Sequence, residues 1–245
     1  MRALTSGDNN IESFKNFVEI VEKRYSPTNR RGDVNSWMYR GHSDSAYQLR
    51  PSIGRLLGTE RFPTKQDVLD AELNSFREFE TKTYHNLRES NLFILLAVAQ
   101  HHGLKTRLLD WSLSPFVALF FAVEEENTLD KDGALFAFRP KRFTSILRKK
   151  ENPLQLKLNA DYQYLTIPSL SPRINAQKGV FQMFKDPTNS LENAPSLQKL
   201  IIPARCKRDI KKDLSNFGIG YDTLFPDFDG IAKSINYIQL NERPW

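Results

Sequence analysis

Cysteine is almost absent from this chain of 245 residues, which contains only Cys206. A single cysteine excludes a disulfide within the chain and a zinc site built from several cysteines. The four histidines do not form the His-x-x-x-His or His-Glu-x-x-His spacing of a helical metal site. We therefore expect no bound metal, and so low a cysteine content is typical of a reducing cytoplasm.

Long hydrophobic runs are also absent. The two longest, Leu92–Ala99 and Phe116–Val123, have eight residues each, whereas a membrane helix needs about 20. The N-terminus, Met-Arg-Ala-Leu-Thr-Ser, has no apolar signal region. We therefore predict a cytoplasmic protein without a membrane segment.

Positive charge is in modest excess, with a formal net charge of +6 and a pI of about 9.3. Basic residues concentrate in segments 139–150 and 205–212. Such clusters are compatible with nucleic-acid binding and equally with two solvated helix faces. The sequence gives no indication of the oligomeric state.

Helical periodicity dominates the first half of the chain, and short strands dominate the second. The pattern predicts helices near 11–24, 64–79, 91–102, 116–124, 205–216 and 230–238, and strands near 37–41, 133–138, 164–167, 179–184 and 198–202. A turn at Trp111–Ser114 leads into the fourth helix. No repeat or long linker divides the chain. We therefore predict one α+β domain over 1–245, with a core at about 30–240 and N-terminal helices packed on a mixed or antiparallel sheet.

The stretch from Gln100 to Pro115 places polar groups among apolar neighbours. His101 and His102 end one apolar helix, and Arg107 and Asp110 precede the next. Burying such groups is costly unless they are paired or functional. Arg107 and Asp110 either pair with each other, or Asp110 orients a histidine or Arg40. The sequence leaves both interpretations open.

An arginine beside a glycine at the end of a predicted strand is a second candidate. In Tyr39-Arg40-Gly41 the guanidinium can bind a phosphate or carboxylate, while the glycine lets a ligand approach. The alternative is an internal salt bridge from Arg40 to Asp44 or Asp110.

Hydroxyl, amide and imidazole groups complete the candidates. Ser112 and Ser114 precede a helix N-terminus, where a serine can cap the helix or contact an anion. Gln177 stands just before a strand and can bond a sugar or base edge, or simply form a turn. His101 and His102 point about 100° apart on a helix. One of them is favoured by the helix dipole, and the other can act as a general base or a stacking surface.

These motifs together resemble the FRG domain family, named for Phe-Arg-Gly, which reads Tyr39-Arg40-Gly41 here. The resemblance continues through Gln100-His101-His102-Gly103, Thr106-Arg107-Leu108-Leu109-Asp110-Trp111, Gln177-Lys178-Gly179-Val180-Phe181 and Leu224-Phe225-Pro226-Asp227. It covers residues 30–240 and implies a family widespread in bacteria and their viruses, but no defined activity.

A more remote resemblance connects the chain to ADP-ribosyltransferases of the Arg-Ser-Glu type. Arg40, Ser112-Leu113-Ser114 and Gln177 follow the order of that family's arginine, Ser-Thr-Ser stretch and catalytic glutamate. The resemblance implies that Arg40 holds the phosphates of NAD, that the serine orients the site, and that the last residue meets the ribose. A glutamine replaces the glutamate, and Asp110 or Glu192 is a candidate for the missing carboxylate.

The leading hypothesis is an ADP-ribosyltransferase-like enzyme that uses NAD and acts as a bacterial toxin or phage-defence effector. The nucleotide-binding candidates are Tyr39, Arg40, Gly41, His101 and Ser114, and the catalytic candidates are Arg40, Ser112, Gln177, His102 and Asp110. One alternative is a non-catalytic nucleic-acid-binding module that uses segments 139–150 and 205–212. Another is a metal-independent nuclease or hydrolase that uses His102 and Asp110.

Overall fold

The computed structural model describes residues 9–25, 37–87, 89, 91–148, 151–155, 160–166, 168–192, 194 and 196–242. The helices are α1 (Phe14–Arg24), α2 (Lys65–Leu87), α3 (Leu92–His101), α4 (Pro115–Val123), α5 (Pro172–Ala176), α6 (Ala204–Asn216), α7 (Tyr221–Leu224) and α8 (Phe228–Tyr237). The strands are β1 (Met38–His42), β2 (Leu108–Ser112), β3 (Gly133–Phe138), β4 (Thr144–Ser145), β5 (Tyr162–Thr166), β6 (Gly179–Phe184) and β7 (Gln198–Ile202).

All seven strands form one mixed sheet in the order β4-β5-β6-β2-β1-β3-β7. The β4–β5 pair is parallel, and the other neighbours are antiparallel. Helices and sheet make a single α+β domain, as predicted, and each of the five predicted strands is present. Ile167, predicted to end one of them, lies outside the described residues.

The sequence pattern did not predict β2, which lies near the middle of the sheet. Trp111 and Ser112, expected in a turn, are strand residues, and the turn begins only at Leu113. The strand forms because β6 pairs with it along its whole length, from Leu108 opposite Met183 to Ser112 opposite Gly179. Because β6 lies about 70 residues further along the chain, no local sequence pattern predicts this pairing.

The strands β1 and β2 pair through only one register position, Tyr39 opposite Ser112. Beyond that position β1 continues beside β3, as far as His42 opposite Ala134, while β2 follows β6. The sheet therefore opens between β1 and β2, and this opening is where the candidate site lies.

Helix α4 covers one face of the sheet over β1. It is apolar nearly all round because it packs on the sheet from one side and on α6 from the other, and six of its residues are buried. The core on this side also contains residues of α1, including Phe17, and Tyr39. Helices α2 and α3 pack on another part of the sheet, around Phe76, Leu96 and Phe181. The N-terminal helices therefore pack on the sheet, as predicted.

The glycine of the Tyr-Arg-Gly motif allows α4 to approach the sheet. A Cβ on Gly41 would stand 1.9 Å from the Ala118 carbonyl oxygen and 2.6 Å from the Ala122 nitrogen. Both atoms belong to the α4 backbone, which cannot move without disturbing the helix. Glycine is therefore required at position 41 because helix α4 packs against it, whereas the sequence had suggested that a ligand does.

Candidate functional site

A cavity of about 350 Å³ occupies the opening between β1 and β2. The predicted residues that line it are Tyr39, Arg40, Gly41, His101, Asp110, Ser112 and Gln177. His102 and Ser114 are not among its lining residues. The sheet therefore brings together groups that are as much as 138 positions apart in the sequence.

The guanidinium of Arg40 is held by two neutral acceptors. Its Nε donates to Nε2 of His42 at 2.9 Å, and its Nη1 donates to the backbone carbonyl of Asp110 at 2.5 Å. Burial lowers the pKa of Arg40 to about 10, and the nearby charge of Asp110 opposes that shift. The side chain therefore keeps its positive charge at neutral pH.

The salt bridge proposed as an alternative for Arg40 is not formed. Asp44 pairs instead with Lys131 at 2.9 Å, and Asp110 contacts Arg40 through its backbone carbonyl. Within the described residues no carboxylate lies at ion-pair distance from Arg40. Two of the five N–H bonds of this guanidinium are used by its neutral acceptors, and the other three have no acceptor among the described residues.

The Asp110 carboxylate faces away from Arg107, contrary to one of the two interpretations. Arg107 pairs with Glu72 of α2, with Nη2 and Oε2 2.7 Å apart. The carboxylate of Asp110 accepts from Nε2 of Gln100 at 2.8 Å. The Gln100 amide is itself fixed, because its oxygen accepts from the Thr106 hydroxyl. Asp110 is thus an exposed, oriented carboxylate at the cavity wall.

Ser112 and Gln177 are bonded to neighbouring backbone. The Ser112 hydroxyl donates to the Gln177 carbonyl at 2.7 Å and accepts from the Ser114 amide at 2.9 Å. It thereby ties the start of α4 to the turn before β6. The Gln177 amide nitrogen donates to the Leu224 carbonyl at 3.0 Å. Ser114 is the N-cap residue of α4, but its hydroxyl makes no capping hydrogen bond.

The two neighbouring histidines have different environments. His101 is half-buried in the cavity wall, and burial lowers its pKa, with Arg173 and His102 adding to the effect. These effects all favour the neutral form of the His101 side chain. His102 is exposed at the C-terminal end of α3. Among the described residues no group of three or more histidine, cysteine, aspartate or glutamate side chains is placed to hold a metal.

Two arginines that the sequence did not single out also line the cavity. Arg55 lies in the 3₁₀ helix Gly54–Leu56, between β1 and α2, and Arg173 belongs to α5. Arg173 stands over the ring of Phe225, 4.4 Å from its centroid. Arg173 precedes Gln177 by four positions, which is one helical turn. That spacing is the signal that would have connected it to the site. No comparable pattern marks Arg55.

The basic segment 205–212 is less basic at the surface than its sequence indicates. Lys207 and Lys211 of α6 are buried, with 0% and 5% exposure. Lys207 donates to the carbonyls of Ser43 and Thr128, each at 2.6 Å. Arg205, Arg208 and Lys212 are exposed. In the other segment, Lys149 and Lys150 lie outside the described residues.

The fold and the cavity define an α+β protein whose sheet opens around a cationic site. Residues 35–131 match the FRG domain, which confirms the family resemblance over that part of the chain. Arg40, Arg55, His101 and Asp110 lie inside the match, and Arg173 lies beyond it. No curated protein and no solved structure matches the chain. In the described part of the chain, no helix combines the length and apolar character needed to cross a membrane.

Proposed function

We propose that the cavity binds NAD and that the protein is an ADP-ribosyltransferase-like enzyme. The observation that carries the proposal is the state of Arg40, a cation in the cavity lining that no carboxylate of the described residues contacts. Such a guanidinium offers planar, charged donors, which match phosphate oxygens. Arg55 and Arg173 add two further positive charges to the cavity wall, so the preference for anions is not confined to Arg40.

The charges of the cavity support a ligand with more than one phosphate. The described lining residues include the guanidiniums of Arg40, Arg55 and Arg173 and one carboxylate, that of Asp110. An excess of cations in a partly enclosed cleft raises the local concentration of anions. The pyrophosphate of a dinucleotide has two ionised groups, and it fits this excess better than a single carboxylate does.

Apolar and aromatic groups complete the walls. Val117, Ala118 and Phe121 of α4 form one side, and Tyr47 lies at the rim with 45% of its surface exposed. The rings of Phe121 and Tyr47 suit a base or a nicotinamide ring, which gains from stacking on an aromatic surface. A cavity with cationic and aromatic walls therefore matches both parts of NAD.

Transfer of ADP-ribose breaks the bond between the nicotinamide nitrogen and C1′ of the ribose. The bonding electrons leave with nicotinamide, which becomes neutral, and C1′ develops positive charge until an acceptor nucleophile bonds to it and releases a proton. A carboxylate near C1′ lowers this barrier. Asp110 supplies one and can take the proton. Glu192 does not line the cavity: it accepts from the Leu49 amide and the Ser190 hydroxyl.

Calorimetric titration with ADP-ribose and NAD, followed by assay of released nicotinamide, tests the proposal. We expect binding by the unmodified protein and a loss of about tenfold or more in affinity for Arg40→Gln, because a charged hydrogen bond is removed. Arg61→Gln is the matched control, since Arg61 is exposed and lies outside the cavity. Equal affinities for all three proteins would contradict the proposal.

The same titration with short DNA and RNA separates the nucleic-acid alternative. Binding to nucleic acid that weakens steeply with salt, and that Arg40→Gln leaves intact, would favour a binding module. The inward orientation of Lys207 and Lys211 argues against that outcome for segment 205–212.

We also propose a role as a toxin or phage-defence effector, which would depend on the consumption of NAD. Expression of the unmodified protein in bacteria should lower the cellular concentration of NAD, whereas expression of the Arg40→Gln variant should leave it unchanged.

A further inference from the structure

The imidazole of His42 has one tautomer that satisfies both of its contacts. Its Nδ1 lies 3.1 Å from the Tyr47 carbonyl oxygen, which can only accept, so Nδ1 carries the hydrogen. Its Nε2 lies 2.9 Å from Nε of Arg40, which can only donate. The lone pair of Nε2 is therefore the acceptor for Arg40, and the ring is neutral.

The surroundings of His42 favour the same neutral state. The ring is 5% exposed and packs edge-on against Phe136 of β3, with centroids 5.1 Å apart. The charged groups that act on it are Arg40 of β1, Arg55 of the 3₁₀ helix Gly54–Leu56 and Lys199 of β7, all of them cations. A protonated imidazole would place a fourth positive charge beside these three, in a buried ring, which is unfavourable.

We propose that His42 is a positioning residue that aims Arg40 into the cavity and leaves its positive charge uncompensated. A carboxylate in the place of His42 would also orient the guanidinium, but it would compete with a phosphate for it. A neutral acceptor orients Arg40 without that competition, and the Tyr47 carbonyl fixes which ring nitrogen accepts. The alignment is therefore built before a ligand arrives.

The first test uses the protein without ligand and is independent of the proposed function. Nitrogen NMR of the imidazole rings between about pH 5 and 8 should show His42 as the Nδ1–H tautomer, with no titration in that range. The Nε–H resonance of Arg40 should be protected from solvent exchange. An Nε2–H tautomer, or a titration of His42 near its ordinary pKa, would overturn the proposal.

Two substitutions of His42 distinguish its role as a hydrogen-bond acceptor for Arg40 from the packing of its ring. His42→Gln can place an amide oxygen near the position of Nε2, whereas His42→Asn reaches only the position of Nδ1. We expect the Arg40 Nε–H to stay protected in His42→Gln and to exchange rapidly in His42→Asn. Because both variants lose the ring, a purely structural role would affect them alike. Equal exchange in the two variants would therefore refute the positioning role.

The last measurement rests on the proposed function, since it uses ADP-ribose as the probe. His42→Asn should weaken the binding of ADP-ribose about tenfold, because losing one hydrogen bond to a charged group changes affinity by about that factor. His42→Gln should keep most of the affinity. If the unmodified protein does not bind ADP-ribose, the proposed function fails, while the NMR result still decides the role of His42. Equal affinities for both variants and the unmodified protein would show that His42 does not position Arg40.

Discussion

The side chains of Glu72 and Arg107 form a two-point ion pair closed to solvent. Nη2 of Arg107 lies 2.7 Å and Nε 3.0 Å from Oε2 of Glu72, and the backbone amide of Arg107 donates to Oε1 at 2.7 Å. Glu72 is 1% exposed and Arg107 is 7% exposed. Because Glu72 belongs to α2 and Arg107 directly precedes β2, the pair fastens a helix to the strand that carries Asp110.

We expect Glu72→Ala to destabilise the protein by about 3 to 5 kcal/mol, because it leaves the Arg107 guanidinium buried without a partner. Urea unfolding measures the change. The matched control is Glu78→Ala in the same helix, which removes the exposed pair of Glu78 with Lys82. That pair contributes at most about 1 kcal/mol. Similar losses in the two variants would mean that burial of the first pair has no energetic consequence.

Gly41→Ala should destabilise the fold by at least about 3 kcal/mol, because the added methyl would overlap the backbone of α4 and separate the helix from β1. Gly103→Ala is the comparison. Gly103 has a φ of +92° and open space around it, so alanine there costs only about 1 to 2 kcal/mol of backbone strain. Thermal and urea unfolding distinguish the two values. A Gly41→Ala protein as stable as Gly103→Ala would show that α4 can shift.

Lys207 should contribute to stability and not to surface charge. Its Nζ bonds to the backbone carbonyls of Ser43 and Thr128. Lys207→Met would leave the Ser43 carbonyl without this donor, whereas the Thr128 carbonyl would keep the Lys131 amide, so we expect a cost of about 1 to 3 kcal/mol. Lys212→Met, on the exposed side of the same helix, should stay within about 0.5 kcal/mol. Both substitutions remove one charge. If Lys212→Met were the more destabilising, the inward role assigned to Lys207 would be wrong.

The sequence identified the centre of the site but not its full extent. Arg40 was recognisable because its motif consists of adjacent residues. The apolar character of α4 likewise predicted a buried helix. Arg55 and Arg173 were not recognised, because their place in the cavity depends on how distant segments fold back. The partner of Arg107 was also missed. Glu72 stands 35 positions earlier. Its spacing of four from both Val68 and Phe76 places it on the apolar face of α2, but that spacing does not identify the group with which it pairs.

Strand β2 illustrates the same limit at the level of secondary structure. Residues 108–112 combine apolar groups with Asp110, and the serines and proline that follow suggest a turn. Pairing with β6 decides the outcome, so tertiary context overrides local preference. The notable consequence is that Asp110 and Arg40 face one cavity only because two strands pair at a single position and then separate.

Stability should fall in mild acid because of His42. Burial, and then Arg40, lower its pKa to about 3 in the folded protein, against about 6.5 in the unfolded chain. Between these values only the unfolded chain binds the proton, so the free energy of unfolding decreases by about 1.4 kcal/mol for each pH unit below 6.5. Arg40, whose pKa of about 10 lies far above this range, stays charged throughout it.

Urea unfolding of the unmodified protein and His42→Gln at about pH 7 and 4.5 isolates this contribution, because other titrating groups, His101 included, are common to both. We expect the unmodified protein to lose about 2 to 3 kcal/mol more than the variant. An identical pH dependence would show that His42 takes up its proton in the folded protein.

Asp110 should affect transfer much more than binding. Asp110→Asn removes the carboxylate but keeps the backbone carbonyl that holds Arg40, so the affinity for ADP-ribose should change little. The developing charge at C1′ would lose its stabilising group, and we expect kcat for nicotinamide release to fall about 100-fold or more. Glu192→Gln is the control, because Glu192 does not line the cavity. Turnover that survives in Asp110→Asn and fails in Glu192→Gln would reverse this assignment and place the chemistry outside the cavity between β1 and β2.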